Sequence, residues 1–280
     1  MIFNSHDEII LQGATGAEGS RMLAWMKQAG ARVVAGVTPG KGGQEIFGTP
    51  IFNSVSDARI QFPRATISCT VVPPLAALGA VQEALAAGIT FIHLLTDLVP
   101  VRDCILIRTA ARTHGAFILG PGSIGVISSG VRIGYLGGEH PFENLTTGDV
   151  ALISSSGGML NELLHACVAE KIWIHSAWGV GGALVPATSI AEMVARLDTE
   201  PEIKTIGIFI EHGNPFLFTP TMYNKKIVLL IAGHSMALLP KGIAYGHAGA
   251  LLDDGVADIA SLEKYGMVCT QTVEEFVKHL

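Results

Sequence analysis

His247 stands in the run Ala244-Tyr245-Gly246-His247-Ala248-Gly249-Ala250, an imidazole with small residues on both sides. Small neighbours let another molecule approach closely, so a ring nitrogen here could serve as a nucleophile. Taken alone, the heptapeptide fits a structural or surface histidine better. Glu211 follows the apolar run Gly207-Ile208-Phe209-Ile210, at the carboxyl end of an expected strand. A carboxylate there could hold one imidazole nitrogen as N–H and leave the other free to attack; it reads equally as a solvated strand-end charge. Ser154-Ser155-Ser156-Gly157 falls between an expected strand and helix. Free N–H groups and the positive end of the helix dipole make such a start an anion site; ordinary serine capping accounts for it as well.

A second group of residues lies near the amino terminus. Gly13-Ala14-Thr15-Gly16-Ala17-Glu18-Gly19 has GxxGxxG spacing, close to but distinct from the dinucleotide fingerprint GxGxxG. Glycines at a strand-to-helix turn let backbone N–H groups reach phosphates, or simply make a tight connection. The next strand ends in Val37-Thr38-Pro39-Gly40-Lys41-Gly42-Gly43 without the acidic residue that a ribose diol requires, which weakens an oxidoreductase reading. Lys41 in that turn suits a phosphate, or is a surface lysine.

The elements that must position these residues alternate. Strands are expected at 9–12, 31–37, 65–72, 89–95 and 116–119, with helices at 20–29, 75–87 and 101–114. This rhythm predicts right-handed βαβ units on a parallel sheet. Residues 121–148, rich in glycine and turn formers, read as a linker with irregular strands or a hairpin. The pattern then restarts, with strands at 149–154, 174–180, 205–210 and 227–232 and helices at 159–170, 189–197 and 273–278. The expectation is an α/β protein of two successive domains, 1–120 and 149–280, joined by 121–148.

Composition agrees with this architecture. Among 280 residues, 49% are hydrophobic and 15% charged, against about 25% charged in an average domain, which suits strands buried on both faces or a surface covered by another subunit. No run of eighteen apolar residues and no secretory leader is evident, so neither a membrane span nor export is expected. A net charge of −6 without a basic run argues against nucleic acid. Cys69, Cys104, Cys167 and Cys269 are scattered and form no CxxC pair, which fits reduced thiols in a cytoplasmic protein rather than a disulfide or metal site.

In combination, these residues resemble the family of nucleoside-diphosphate-forming acyl-CoA ligases, and within it the succinate–CoA ligase (succinyl-CoA synthetase) alpha subunits. The similarity runs nearly end to end. It is carried by Gly13-Ala14-Thr15-Gly16 with Gly19, by Gly36 to Gly43, by Val72-Pro73-Pro74, Gly120-Pro121 and Ser154 to Gly157, and by Gly179-Val180-Gly181-Gly182, Ile231-Ala232-Gly233 and Gly246 to Ala250.

The resemblance implies a Rossmann-like CoA-binding domain followed by a flavodoxin-like ligase domain. It implies that His247 is the phosphorylated histidine, supported by Glu211, with Ser155, Ser156 and Gly157 holding its phosphate. CoA contacts are implied at Gly13, Thr15, Gly16, Gly19, Lys41, Val72, Pro73, Thr96 and Asp97, and no metal site on this chain. A nucleoside triphosphate and Mg²⁺ are implied on an ATP-grasp beta subunit, in a heterodimer or heterotetramer, with a small carboxylate as substrate.

The sequence also departs from the family pattern. Gly122-Ser123-Ile124-Gly125 replaces the usual Asn-Cys-Pro-Gly, Gly181-Gly182-Ala183-Leu184-Val185-Pro186 replaces a Gly-Gly-Asp-Pro-type segment, and Thr96-Asp97 replaces Thr-Glu. Succinate is the expected substrate; malate, citrate or another acid, and a non-catalytic CoA-binding or regulatory subunit, are the alternatives.

Overall fold

The structure is a computed structural model that describes residues 4–138, 147–210, 222–231 and 259–280. Two parallel-dominated sheets organise it, each of seven strands among the described residues.

The first sheet is built from β1 (Ile9–Gln12), β2 (Val33–Val37), β3 (Glu45–Ile46), β4 (Thr49–Phe52), β5 (Ile67–Thr70), β6 (Phe91–Leu94) and β7 (Phe117–Leu119), in the order β3-β4-β2-β1-β5-β6-β7. Every residue of β1, β5 and β6 is buried, the pattern of a sheet covered on both faces by crossover helices. Those helices are α1 (Ala17–Gln28), α2 (Val55–Gln61), α3 (Ala77–Ala86, entered through a 3-10 turn at Pro74–Ala76) and α4 (Val101–His114). Pro100 precedes α4 and Gly115 closes it in the left-handed conformation. Its Cys104, Ile107 and Ala111, at spacings of three and four, make the buried stripe.

The second sheet takes β8 (Gly125–Ser128), β9 (Val131–Gly134), β10 (Val150–Ser154), β11 (Ile174–Gly179), β12 (Thr205–Ile210), β13 (Lys226–Ile231) and β14 (Val268–Thr270), in the order β14-β13-β12-β10-β11-β8-β9. Strands β10 to β14 are parallel, and the β8–β9 hairpin is added antiparallel to β11. The helices are α5 (Gly157–Ala169), α6 (Ile190–Leu197), α7 (Ile259–Lys264) and α8 (Val273–Lys278).

The expected elements are present, with informative differences. Helix α1 starts at Ala17 rather than residue 20, because Gly19 serves packing. A Cβ there would lie 2.1 Å from the Gly13 carbonyl oxygen, so only glycine lets the helix sit this close to the loop. Strands β3 and β4 and helix α2 were not expected. The Ser54 side chain caps α2 by accepting from Asp57 N. In the stretch expected as a linker, the hairpin belongs to the second sheet. Helix α7 and strand β14 are further additions. Among the described residues no helix is long and apolar enough to cross a membrane.

The two sheets share one apolar cluster. Ile9, Leu11 and Met22 of the first half pack in it with Ile153, Trp178 and Val194 of the second. The hairpin reaches across to α1: Tyr135, just after β9, meets Trp25 edge-on with ring centroids 5.0 Å apart, and its hydroxyl donates to the Glu18 carbonyl at 2.6 Å. Arg132 donates to the Trp25 carbonyl at 3.2 Å. Burial, with the Glu18 carboxylate next, pushes the Tyr135 phenol up to about 12.

Candidate functional site

At the carboxyl end of β1 the chain turns into α1 through Gly13, whose φ of +82° belongs to the left-handed region. A Cβ on Gly13 would stand 1.9 Å from the Val71 carbonyl oxygen, so the turn requires glycine twice over. Gly13 N donates to Val37 O at 2.8 Å, and Gly16 N to Gly13 O at 3.1 Å. Gly16 is the N-cap of α1, and no side chain caps the helix. Its first-turn N–H groups therefore keep their donor capacity for an anion.

The neighbouring loops close on this turn. The Thr15 hydroxyl donates to Thr38 Oγ1 at 3.2 Å, and Thr38 donates onward to Val37 O. Lys41 N donates to Thr38 O, while Gly42 N is held by Asn53 Oδ1 at 2.9 Å, so the turn is anchored and Lys41 itself is exposed. Thr96 brackets the Val72 peptide, its hydroxyl donating to Val72 O at 2.8 Å and accepting from Val72 N at 3.2 Å. Pro73 is exposed at the entry to the 3-10 turn. Gly13, Thr15, Gly16, Lys41, Val72, Pro73, Thr96 and Asp97 thus occupy the linked loops at the carboxyl ends of β1, β2, β5 and β6. Gly19 lies behind them, as packing.

In the second half the Ser154 hydroxyl donates to Ser156 O at 2.8 Å and accepts from Ser156 N at 3.0 Å, folding the serine loop on itself. Ser156 is the N-cap of α5, but its oxygen lies a long 3.5 Å from Met159 N. Gly157 faces Ile124, which a Cβ would approach to 2.8 Å. Ser155, Ser156 and Gly157 form a helix start as expected.

The two loop systems meet in a seam lined by glycine. The segment after the cis Gly120–Pro121 bond runs between the ends of β6 and β11: Gly120 N donates to Val180 O, Gly122 N to Thr96 O and Ser123 N to Leu94 O. A Cβ on Gly122 would be 3.2 Å from Asp97 Oδ1 and 3.5 Å from Gly182 N, and one on Gly182 would be 3.8 Å from Ser155 O. Asp97 of the first half and Ser155 of the second are therefore neighbours across two glycines. The Asp97 carboxylate accepts from Leu98 N at 2.7 Å and is exposed.

Sequence reasoning noted Gly122, Ser123 and Gly182 as parts of segments that depart from the family pattern, but did not name them as site residues; glycines just after the ends of β7 and β11 were the available signal. It also passed over His93, fully buried on β6 beneath the seam. His93 Nε2 lies 2.9 Å from Ser123 O, and the Ser123 hydroxyl donates to Gly179 O at 2.6 Å. Burial pushes the His93 imidazole down to about 4, so it is neutral near pH 7. His247 and Glu211 lie outside the described residues. The four cysteines are free, and burial pushes their thiols up, Cys167 to about 12 and Cys269 to about 11. Among the described residues no group of histidine, cysteine and carboxylate side chains is arranged to hold a metal.

Residues 4–98 match the CoA-binding domain, and residues 147–280 the succinyl-CoA ligase-like flavodoxin domain. The chain is 32% identical over 278 residues to the alpha subunit of the ADP-forming succinate–CoA ligase of Aquifex aeolicus, covering 95% of this chain and 88% of that one. The chain belongs to the succinate–CoA ligase alpha-subunit family. Within this family it is also 32% identical, over 264 residues, to a subunit of an ADP-forming sulfoacetate–CoA ligase of Bilophila wadsworthia, covering 91% of this chain and 88% of the relative. The malate–CoA ligase alpha subunit of Methylorubrum extorquens is 30% identical over 280 residues, covering 95% and 92%. The fold of this family member matches that of the ATP citrate lyase of Methanothrix soehngenii with a TM-score of 0.85 at 21% identity, over the whole of this chain and 50% of that one.

Proposed function

We propose that this chain is the alpha subunit of an NDP-forming acid–thiol ligase that couples a nucleoside triphosphate to CoA thioester formation through a phosphohistidine at His247. The observation that carries this reading is the seam: Asp97, in the half with the phosphate-type turn, stands two glycines from Ser155, in the half with the serine helix start. A phosphate-bearing thiol cofactor and a phosphoryl group can therefore be held side by side.

The first-half loops fit CoA by their chemistry. Gly13, with φ +82° and no room for a Cβ beside Val71 O, keeps the turn tight, the start of α1 is uncapped, and Lys41 is an exposed cation on the neighbouring loop. CoA supplies the thiol that takes the acyl group. This chain's own residues do the rest. His247, in neutral form, accepts a phosphoryl group from the triphosphate that an ATP-grasp beta subunit holds with Mg²⁺, and Glu211 orients the ring. The start of α5 at Ser155, Ser156 and Gly157 receives the phosphoryl oxygens with fixed dipoles that need no reorganisation. Transfer to the substrate carboxylate gives an acyl phosphate, and attack by the thiol releases inorganic phosphate.

The substrate is a small carboxylic acid, with succinate the first to test. Relatives named for malate and sulfoacetate make these the next candidates, followed by citrate. Incubation of the co-purified alpha–beta complex with γ-labelled ATP or GTP should give an acid-labile label on this chain that is lost in His247→Ala. Absence of label in the wild-type complex, with CoA binding intact, would instead support a CoA-binding subunit without phosphoryl transfer, the alternative suggested by the altered loops at 122–125 and 181–186.

A further inference from the structure

Glu192 stands in the first turn of α6 and holds two structures with one carboxylate. Its Oε2 accepts from Ser189 N at 2.8 Å and from the Ser189 hydroxyl at 2.9 Å, while Glu192 N donates to Ser189 Oγ, completing a capping box. Two arginines of α4 reach the same carboxylate from the first half. Arg112 donates to Oε1 at 2.9 Å, and Arg108 lies 3.3 and 3.4 Å from the two oxygens. Arg108 also donates to Pro186 O at 3.1 Å. Burial opposes ionisation of Glu192, but Ser189 and the guanidinium groups together hold its carboxyl below the usual range.

The segment leading into α6 is a strap laid on the first half. Ala187 N donates to Gly120 O at 2.9 Å, and the Thr188 hydroxyl to Ile118 O at 2.8 Å. Ala183 and Val185 pack against the same apolar cluster as Val72. The upstream end of the strap is Gly182, the residue between Asp97 with Gly122 on one side and Ser155 on the other. One end of the strap therefore forms the wall common to both candidate ligand sites, and the other end is anchored by Glu192.

The geometry points to Glu192, acting through Arg108 and Arg112, as a positioning residue that preorganises the 182–189 strap so that the CoA site and the phosphate site are both built before either is filled. This rests on the ligase reading above. Exposed ion pairs contribute little to stability, so the contribution of this cluster lies in position. With the anchor weakened, the strap samples arrangements in which Gly182 is displaced, and each ligand binds only the fraction that is competent. The first ligand then orders the strap for the second, so loss of the anchor creates a positive linkage between the two sites.

Glu192→Gln separates the roles, because glutamine serves equally at this position of a capping box but lacks the charge that holds the arginines. Arg112→Met removes one partner and leaves the box untouched. CoA and inorganic phosphate are titrated by calorimetry into wild type and each variant, singly and with the other at saturation. In the variants each ligand alone should bind about three- to tenfold more weakly, and saturation with the other should restore most of the wild-type affinity. Hydrogen exchange at Ala187 should be faster in the variants and return towards the wild-type rate with both ligands present. Unchanged affinities, or weaker binding without any linkage beyond that of wild type, would overturn the inference and leave Glu192 a helix cap. Failure of wild type itself to bind CoA would instead refute the ligase reading, and the inference with it.

Discussion

Replacing Gly13 by alanine tests whether the turn after β1 is a built cofactor cradle. Two separate penalties apply. At φ +82° an L-residue carries about 1–2 kcal/mol of backbone strain. The new Cβ would also stand 1.9 Å from the Val71 carbonyl oxygen, which β5 cannot easily withdraw because Val71 N is bonded to Gln12 O at 3.0 Å. Relief requires the loop to move by more than an ångström, and forced shifts of this kind in packed structure cost about 1–3 kcal/mol. The expected destabilisation is therefore roughly 2–5 kcal/mol in urea unfolding, within the range of named backbone and overpacking mechanisms. CoA affinity should fall by at least about tenfold, since the displaced N–H groups no longer converge on one anion.

The control is Gly79→Ala in α3, where a Cβ meets nothing within 4 Å. The same change there should stabilise the protein by about 0.5–1 kcal/mol, because alanine favours helix. Opposite signs for two identical substitutions in one half, with only Gly13→Ala losing CoA, is the expected result. Equal stability of the two variants, or CoA affinity within a factor of two of wild type in Gly13→Ala, would refute the reasoning.

Ser156→Ala should cost about 0.5–1 kcal/mol in unfolding, the lower part of the capping range because the contact to Met159 N is long, and should weaken inorganic phosphate binding by calorimetry. His93 has a folded value of about 4, below its unfolded value, so the unfolded chain takes up the proton first as pH falls. Stability present above about pH 6.5 should be lost between there and pH 4, by on the order of 3 kcal/mol, and His93→Gln should flatten that part of the urea-midpoint profile. Tyr135 shows the opposite case: its phenol is raised to about 12, so its contribution is present below about pH 10 and lost as pH rises to 12. Absorbance at alkaline pH should show a late phenolate step that is missing from Tyr135→Phe.

Local signals carried much of this structure. Helix α4 was legible to the residue because Pro100 and Gly115 bound a stripe at 104, 107 and 111. Strand β12 was legible because Thr205–Ile210 is an uninterrupted buried run. Strand β4 was not, since Pro50 interrupts it and its pairing with β2, Gly36 to Ile51, is a tertiary choice. For the same reason the loops of the site were readable one at a time but their meeting was not. Ser123 and Gly179 are 56 residues apart, and Glu192 and Arg108 are 84 apart. Glycine spacing marks where backbone must come close; it does not say to what.

The reach of the β8–β9 hairpin across to α1 has a consequence for how the molecule comes apart. The Trp25 ring and the carbonyls of Glu18 and Trp25 take added contacts from Tyr135 and Arg132, which follow them by more than a hundred residues. Cutting the chain after residue 120 would strip that cover from the helix that carries the phosphate-type turn, while leaving every strand of the first sheet intact. The two halves should therefore melt together in a single transition despite having separate sheets, and the first half expressed alone should expose apolar surface before it ever meets a ligand.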